Sequence, residues 1–172
     1  TFDNLYKRQL SFVQIVKSNI VKDVLENIER YSAANNHYVF EITETIEMDQ
    51  IPAVQNVFKE FVKNEFRFAI DDFGTGYSNY GYMRDRTFDI VKVDRSFVTD
   101  IDKLKDNYLM VSFIIKMAHE MGLHVCIEGV ETKEELSCVK RLGADYIQGY
   151  YYGKPVCLQD FEEQHLKRFV LG

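Results

Sequence analysis

Short apolar runs alternate with amphipathic stretches along this chain, and nearly every run ends at or beside a polar residue. The runs are Tyr38–Thr43 (YVFEIT), Phe66–Asp71 (FRFAID), Phe88–Val93 (FDIVKV), Leu123–Glu128 (LHVCIE) and Asp145–Gln148 (DYIQ), with a weaker sixth near Leu5–Ser11. Helical spacing covers Ile15–Tyr31, Gln50–Asn64, Asn107–Met121, Lys133–Leu142 and Leu158–Val170. Thr132 and Glu135 form a capping box before Leu136, Val139 and Leu142, and Gly143 is a stop, as Gly122 is for the helix before it. Short, nearly continuous apolar strands between helices specify a parallel sheet with helices on its faces.

Two architectures meet that description, and the polar residues at the strand ends choose between them. They are Glu41 and Glu44, Asp71 and Asp72, Lys92 and Asp94, Glu128 and Glu131, and Gln148. A barrel brings all its C-terminal strand ends to one mouth, whereas a doubly wound sheet gathers function at one switch point. Groups on five consecutive strands therefore predict a TIM-like (β/α)8 barrel. Six strands are two short of a closed barrel, which typically takes about 250 residues. The expectation is a single domain over residues 1–172, truncated on its N-terminal side and lacking the first two strands.

The charge balance narrows the partners. A formal net charge of -6 argues against a nucleic-acid polymer. No apolar run reaches the roughly 18 residues of a membrane span, and no signal peptide is expected within this segment. Cys126, Cys138 and Cys157 have neither disulfide nor zinc spacing, so reduced thiols in the cytoplasm are expected. The histidines likewise lack ligand spacing.

Asp71-Asp72 reads either as a turn or as a pair of ligands. With other carboxylates at equivalent strand ends, the cluster either raises its own pKa values or recruits cations. Oxygen-only donors suit magnesium or manganese, and an acid shared between two such ions is how two-metal phosphoryl sites are made. Gly74-Thr75-Gly76 follows a strand but lacks the spacing of a dinucleotide or P-loop fingerprint. It is read instead as a mobile or sharply turned loop that aims the acids. Lys92, costly to bury alone, either pairs with Asp89 or Asp94 at a sheet edge or stabilises charge on a transferring phosphate. Glu128 and Gln148 end their runs directly, and Gln148 could hold an attacking water. Tyr80, Tyr82 and Tyr150–Tyr152 are read as packing or interface residues, one of which could stack on a base.

Taken together, Glu41-Ile-Thr-Glu44, DDFGTGYS from Asp71, KVD from Lys92, EGVET from Glu128 and QGYYYGKP from Gln148 resemble the EAL domain, the bacterial cyclic di-GMP phosphodiesterase family. The resemblance runs from about Gln9 to Pro155, with order and spacing in agreement throughout. It implies a TIM-like barrel that hydrolyses cyclic di-GMP to linear pGpG with two divalent ions, magnesium or manganese. By the same resemblance Gln9, Glu41, Asp71, Asp72 and Glu128 are metal ligands, with Asp71 shared between the ions. Glu128 also acts as general base, and Lys92 and Gln148 orient the water. Glu44 steadies the loop of Gly74, Thr75 and Gly76, and Glu131 supports the substrate site. There are two departures. The name-giving Glu-Ala-Leu motif is absent, and Gln9 stands where the family carries asparagine, one methylene shorter. The runner-up is therefore a degenerate, non-catalytic member that binds the dinucleotide or a protein. Two unpaired sheet edges further predict a homodimer, with the loop and helix after Asp72 as contacts. By itself the segment is expected to hydrolyse little or nothing.

Overall fold

Each strand of this sheet pairs with its neighbour in sequence, and always in parallel. The computed structural model describes residues 6–9, 20–29, 38–43, 52–75, 88–157 and 160. Its strands are β1 (Tyr6–Gln9), β2 (Tyr38–Thr43), β3 (Arg67–Phe73), β4 (Ile90–Val93), β5 (His124–Ile127) and β6 (Tyr146–Ile147). Helices α1 (Ile20–Glu29), α2 (Pro52–Lys63), α3 (Lys105–Glu120) and α4 (Lys133–Leu142) follow β1, β2, β4 and β5 in turn, and a short 3-10 helix, Arg95–Phe97, lies between β4 and α3. The order β1 to β6 contains no reversal. A doubly wound sheet reverses at its switch point, so this arrangement is the wall of a TIM-like barrel, incomplete at six strands.

The period of two along each strand divides the sheet into two unlike faces. On one face Phe40, Ile42, Phe68, Ile70, Val91, Val93, Val125 and Ile127 are each at most 2% exposed. They join one core with Phe58 and Phe61 of α2, Val111, Ile114 and Ala118 of α3, and Leu136 and Val139 of α4. Aromatic rings dominate it, with Phe40–Phe61 and Phe58–Phe68 centroids 4.9 and 4.8 Å apart. Burying each such side chain stabilises the fold by about 1.5–3 kcal/mol. On the other face Val39, Ala69, Ile90 and Cys126, with Tyr146 against them, form a smaller apolar layer. That layer is the floor of the barrel interior.

Local signals explain the helix ends. Thr132 Oγ1 accepts the Glu135 N–H at 3.2 Å while Glu135 Oε2 accepts the Thr132 N–H at 3.1 Å, completing the expected capping box. Gly143, at φ +89°, then closes α4. β3 runs two residues past its expected end, β6 is only two residues long, and the 3-10 helix was not anticipated. The helix expected at 158–170 lies, apart from Asp160, outside the described residues. Among the described residues no helix is long and apolar enough to cross a membrane.

Candidate active site

The two adjacent aspartates arise from an irregularity in strand pairing. Ile70 pairs with Val91 and the next pair is Phe73 with Val93, so Asp71 and Asp72 together oppose Lys92 alone. This is a β-bulge, which kinks a strand and re-aims its side chains. Asp72 adopts φ +55°, a left-handed conformation that aspartate tolerates better than most residues. The extra residue lets Phe73 return to the helix-side core at 3% exposure. Asp71 is buried and Asp72 lies at the rim. The chain then turns sharply, as expected. Thr75 N–H donates to Asp72 O at 3.3 Å, and Gly74 sits at φ +95°, where a Cβ would come within 2.9 Å of the Phe97 ring.

Lys92 points from β4 into the interior and is 4% exposed. Its Nζ donates to Asp71 Oδ1 at 2.6 Å and pairs with Glu41 Oε1 and Glu128 Oε1, each at 2.9 Å. Three carboxylates from β2, β3 and the end of β5 therefore surround one ammonium. Neither sequence neighbour is its partner. Asp89 accepts the Phe68 N–H and lies near Arg67, and Asp94 caps the 3-10 helix through the Ser96 N–H at 2.9 Å.

The electrostatics follow from that excess of negative charge. Burial opposes the charge on Lys92, but hydrogen bonds to Asp71, Glu128 and Glu41 outweigh it and hold the ammonium pKa above its ordinary value. Glu128 is pushed up, chiefly by burial and then by Asp71 and Glu41, against the pull of Lys92. Asp72 is also pushed up, by burial first and then by the charges of Asp71, Asp94 and Glu41. Carboxylate oxygens of Asp71, Asp72 and Glu128 all lie within 4.8 Å of one another. Hard oxygen donors gathered at this spacing, with net negative charge, fit a divalent cation of the magnesium or manganese kind.

Most of the anticipated residues meet here. Glu41, Asp71, Asp72, Lys92 and Glu128 form the cluster, and Gln148 shares with Glu41 and Lys92 the lining of an interior cavity of about 320 Å³. Glu131 instead pairs with Arg95 at 2.9 Å. Gln9 has its backbone in register with Glu41, while its side chain, like Glu44 and Gly76, lies outside the described residues. Two residues were not assigned a role from sequence. Asp94 contributes charge to the mouth, and its position two after Lys92 was the available signal; Arg95 carried none.

A family model described as EAL domain matches residues 7–155. The probable cyclic di-GMP phosphodiesterase PdeA of Escherichia coli is 34% identical over 146 residues, which is 85% of this chain and 20% of PdeA. The chain spans 18% to 24% of the length of curated relatives such as this one. Among solved structures, the EAL enzyme Bd1971 in its cAMP- and cyclic-di-GMP-bound form superposes with a TM-score of 0.85 at 32% identity, covering 91% of this chain and 42% of that one. Klebsiella pneumoniae BlrP1, in a manganese and cyclic di-GMP complex, gives a TM-score of 0.79 at 26% identity, covering 87% and 38%.

Proposed function

The chain belongs to the EAL domain family, and from that premise we propose that its mouth hydrolyses cyclic di-GMP to linear pGpG. The observation that carries this reading is the set of carboxylates around Lys92, with Asp72 beside them at the rim. Glu41, Asp71, Asp72 and Glu128 would hold two magnesium or manganese ions, with Gln9 offering its amide oxygen. Bound there, the ions supply Lewis acidity, which favours ionisation of water and offsets charge on the phosphate.

The protein groups do the rest. The mouth orients the phosphodiester, and Gln148 and Lys92 aim the attacking water at phosphorus. The half-buried Glu128 carboxylate, whose proton affinity is raised, takes the water proton. The P–O3′ bond then breaks, and the departing 3′-oxygen takes a proton from solvent water, leaving a 3′-hydroxyl and a 5′-phosphate. Lys92 counters the negative charge that builds up on the phosphoryl oxygens. Glu131 and the turn at Gly74 and Thr75 support the substrate site from its rim, with Glu44 steadying the loop that contains Gly76.

On this reading the six strands of the described residues form part of one barrel domain. The free thiols Cys126, Cys138 and Cys157 accord with a cytoplasmic setting. Leu109, Met110 and Phe113 on α3, 54%, 45% and 58% exposed, support a homodimer. The contacts expected after Asp72 fall mostly outside the described residues. A monomeric mass by light scattering would overturn the dimer.

The test is incubation of the full-length protein with cyclic di-GMP and manganese, followed by chromatography; linear product is expected, and its absence rejects hydrolysis. Gln9 favours one second reading, a non-catalytic member that binds the dinucleotide without turnover. Calorimetric binding without product supports that alternative. Activity gained by Gln9→Asn would instead identify an impaired enzyme.

A further inference from the structure

The loop that leaves β5, Glu128 to Glu131, is confined on three sides. Gly129 adopts φ +73°, and a Cβ there would lie 2.4 Å from Cγ and 2.6 Å from Cβ of Arg95. The stem of Arg95 therefore crosses directly over the glycine, and its guanidinium reaches Glu131 Oε1 at 2.9 Å. On a second side Val130 N–H donates to Gln148 O at 3.2 Å and Tyr151 N–H donates to Val130 O at 3.0 Å. On the third, buried Glu135 accepts N–H groups from Glu131 at 2.9 Å and from Asp100 at 3.2 Å. Arg95 and Asp100 both belong to the connection after β4. The exit of the strand carrying Lys92 is thereby fastened to the loop carrying Glu128.

We propose that Arg95 is a positioning residue that fixes the Glu128 carboxylate in the cation-binding mouth, by packing over Gly129 and pairing with Glu131. The inference rests on the cation-binding reading above. A half-exposed ion pair contributes little to stability, so the value of this contact lies in geometry. Groups standing behind a ligand commonly change metal affinity far more than they change folding.

The test is calorimetric titration of the full-length protein with manganese, beside a thermal melt of each variant. Arg95→Ala is expected to weaken manganese binding by about 10-fold or more with little change in melting temperature. Arg95→Lys retains the stem over Gly129 and is expected to recover part of that affinity. Gly129→Ala should mimic Arg95→Ala, and adding it to Arg95→Ala should cost less than adding it to the wild type. Wild-type affinity in a folded Arg95→Ala protein would overturn the positioning role. A wild-type protein that binds no manganese would overturn the cation reading itself, and this inference with it.

Discussion

Both ends of the barrel wall carry buried or half-buried acids, and their partners differ. At the N-terminal end of the strands Asp145 accepts the Val125 N–H at 2.7 Å and lies 2.8 Å from His119 Nε2 and 3.5 Å from His124 Nδ1. Asp89 there accepts the Phe68 N–H at 3.0 Å and stands 3.8 Å from Arg67. Each acid joins two elements and has its own donors. At the mouth Glu41, Asp71 and Glu128 share the one ammonium of Lys92, and Asp72 adds further charge at the rim. Acids with a full set of donors hold the wall together. Acids that outnumber their cation leave negative charge for a ligand to neutralise, which is why the cation site is proposed at the mouth rather than at the N-terminal end.

The largest effect that would test this contrast comes from removing the shared cation. Lys92→Met leaves three carboxylates without their ammonium, so stability should fall by about 3–5 kcal/mol and hydrolysis of cyclic di-GMP should be lost. Manganese should raise the melting temperature of this variant more than that of the wild type; no such recovery would contradict a cation-binding mouth. At the other end, Asp145→Ala leaves the Val125 N–H unpaired and should cost about 1–3 kcal/mol. Its turnover per folded molecule should equal that of the wild type, measured by product formation after correction for unfolded protein.

A smaller effect lies at Glu135, which fastens the loops that leave β4 and β5 on the mouth side. Burial pushes this carboxyl up, but N–H donors from Glu131, Thr132 and Asp100 outweigh burial and hold it below the usual glutamate range. A depressed folded-state pKa gives stability that is present above the unfolded pKa and lost as pH falls through the folded one. Glu135→Gln should therefore cost about 1 kcal/mol near neutral pH. Melts across pH should show the gap to the wild type closing in strong acid; a constant gap would mean the carboxylate charge contributes nothing.

The sequence made some of these features legible and hid others for physical reasons. Strand positions and the barrel were readable because a parallel strand is one short apolar run, and the polar residue ending it marks the mouth. The α4 boundaries were readable because Thr132, Glu135 and Gly143 each satisfy a local requirement of a helix end. The bulge at Asp71 and Asp72 was not, since it is a property of pairing between two strands distant in sequence. The partners of Lys92 were left open for the same reason. Asp89 and Asp94 are near in sequence, but the period of two and the register direct Lys92 to Glu41, Asp71 and Glu128. Arg95 was invisible because a lone arginine after a strand has no pattern; only the space it takes above Gly129 reveals it.

The most direct test of the contrast between the two ends is a count of bound manganese by electron paramagnetic resonance in the full-length protein. The wild type, Asp71→Asn and Asp145→Asn would be compared at equal protein concentration. Asp71→Asn should lose bound manganese while Asp145→Asn keeps the wild-type amount. Retention by Asp71→Asn, or loss by Asp145→Asn, would contradict the assignment of the cation site to the mouth.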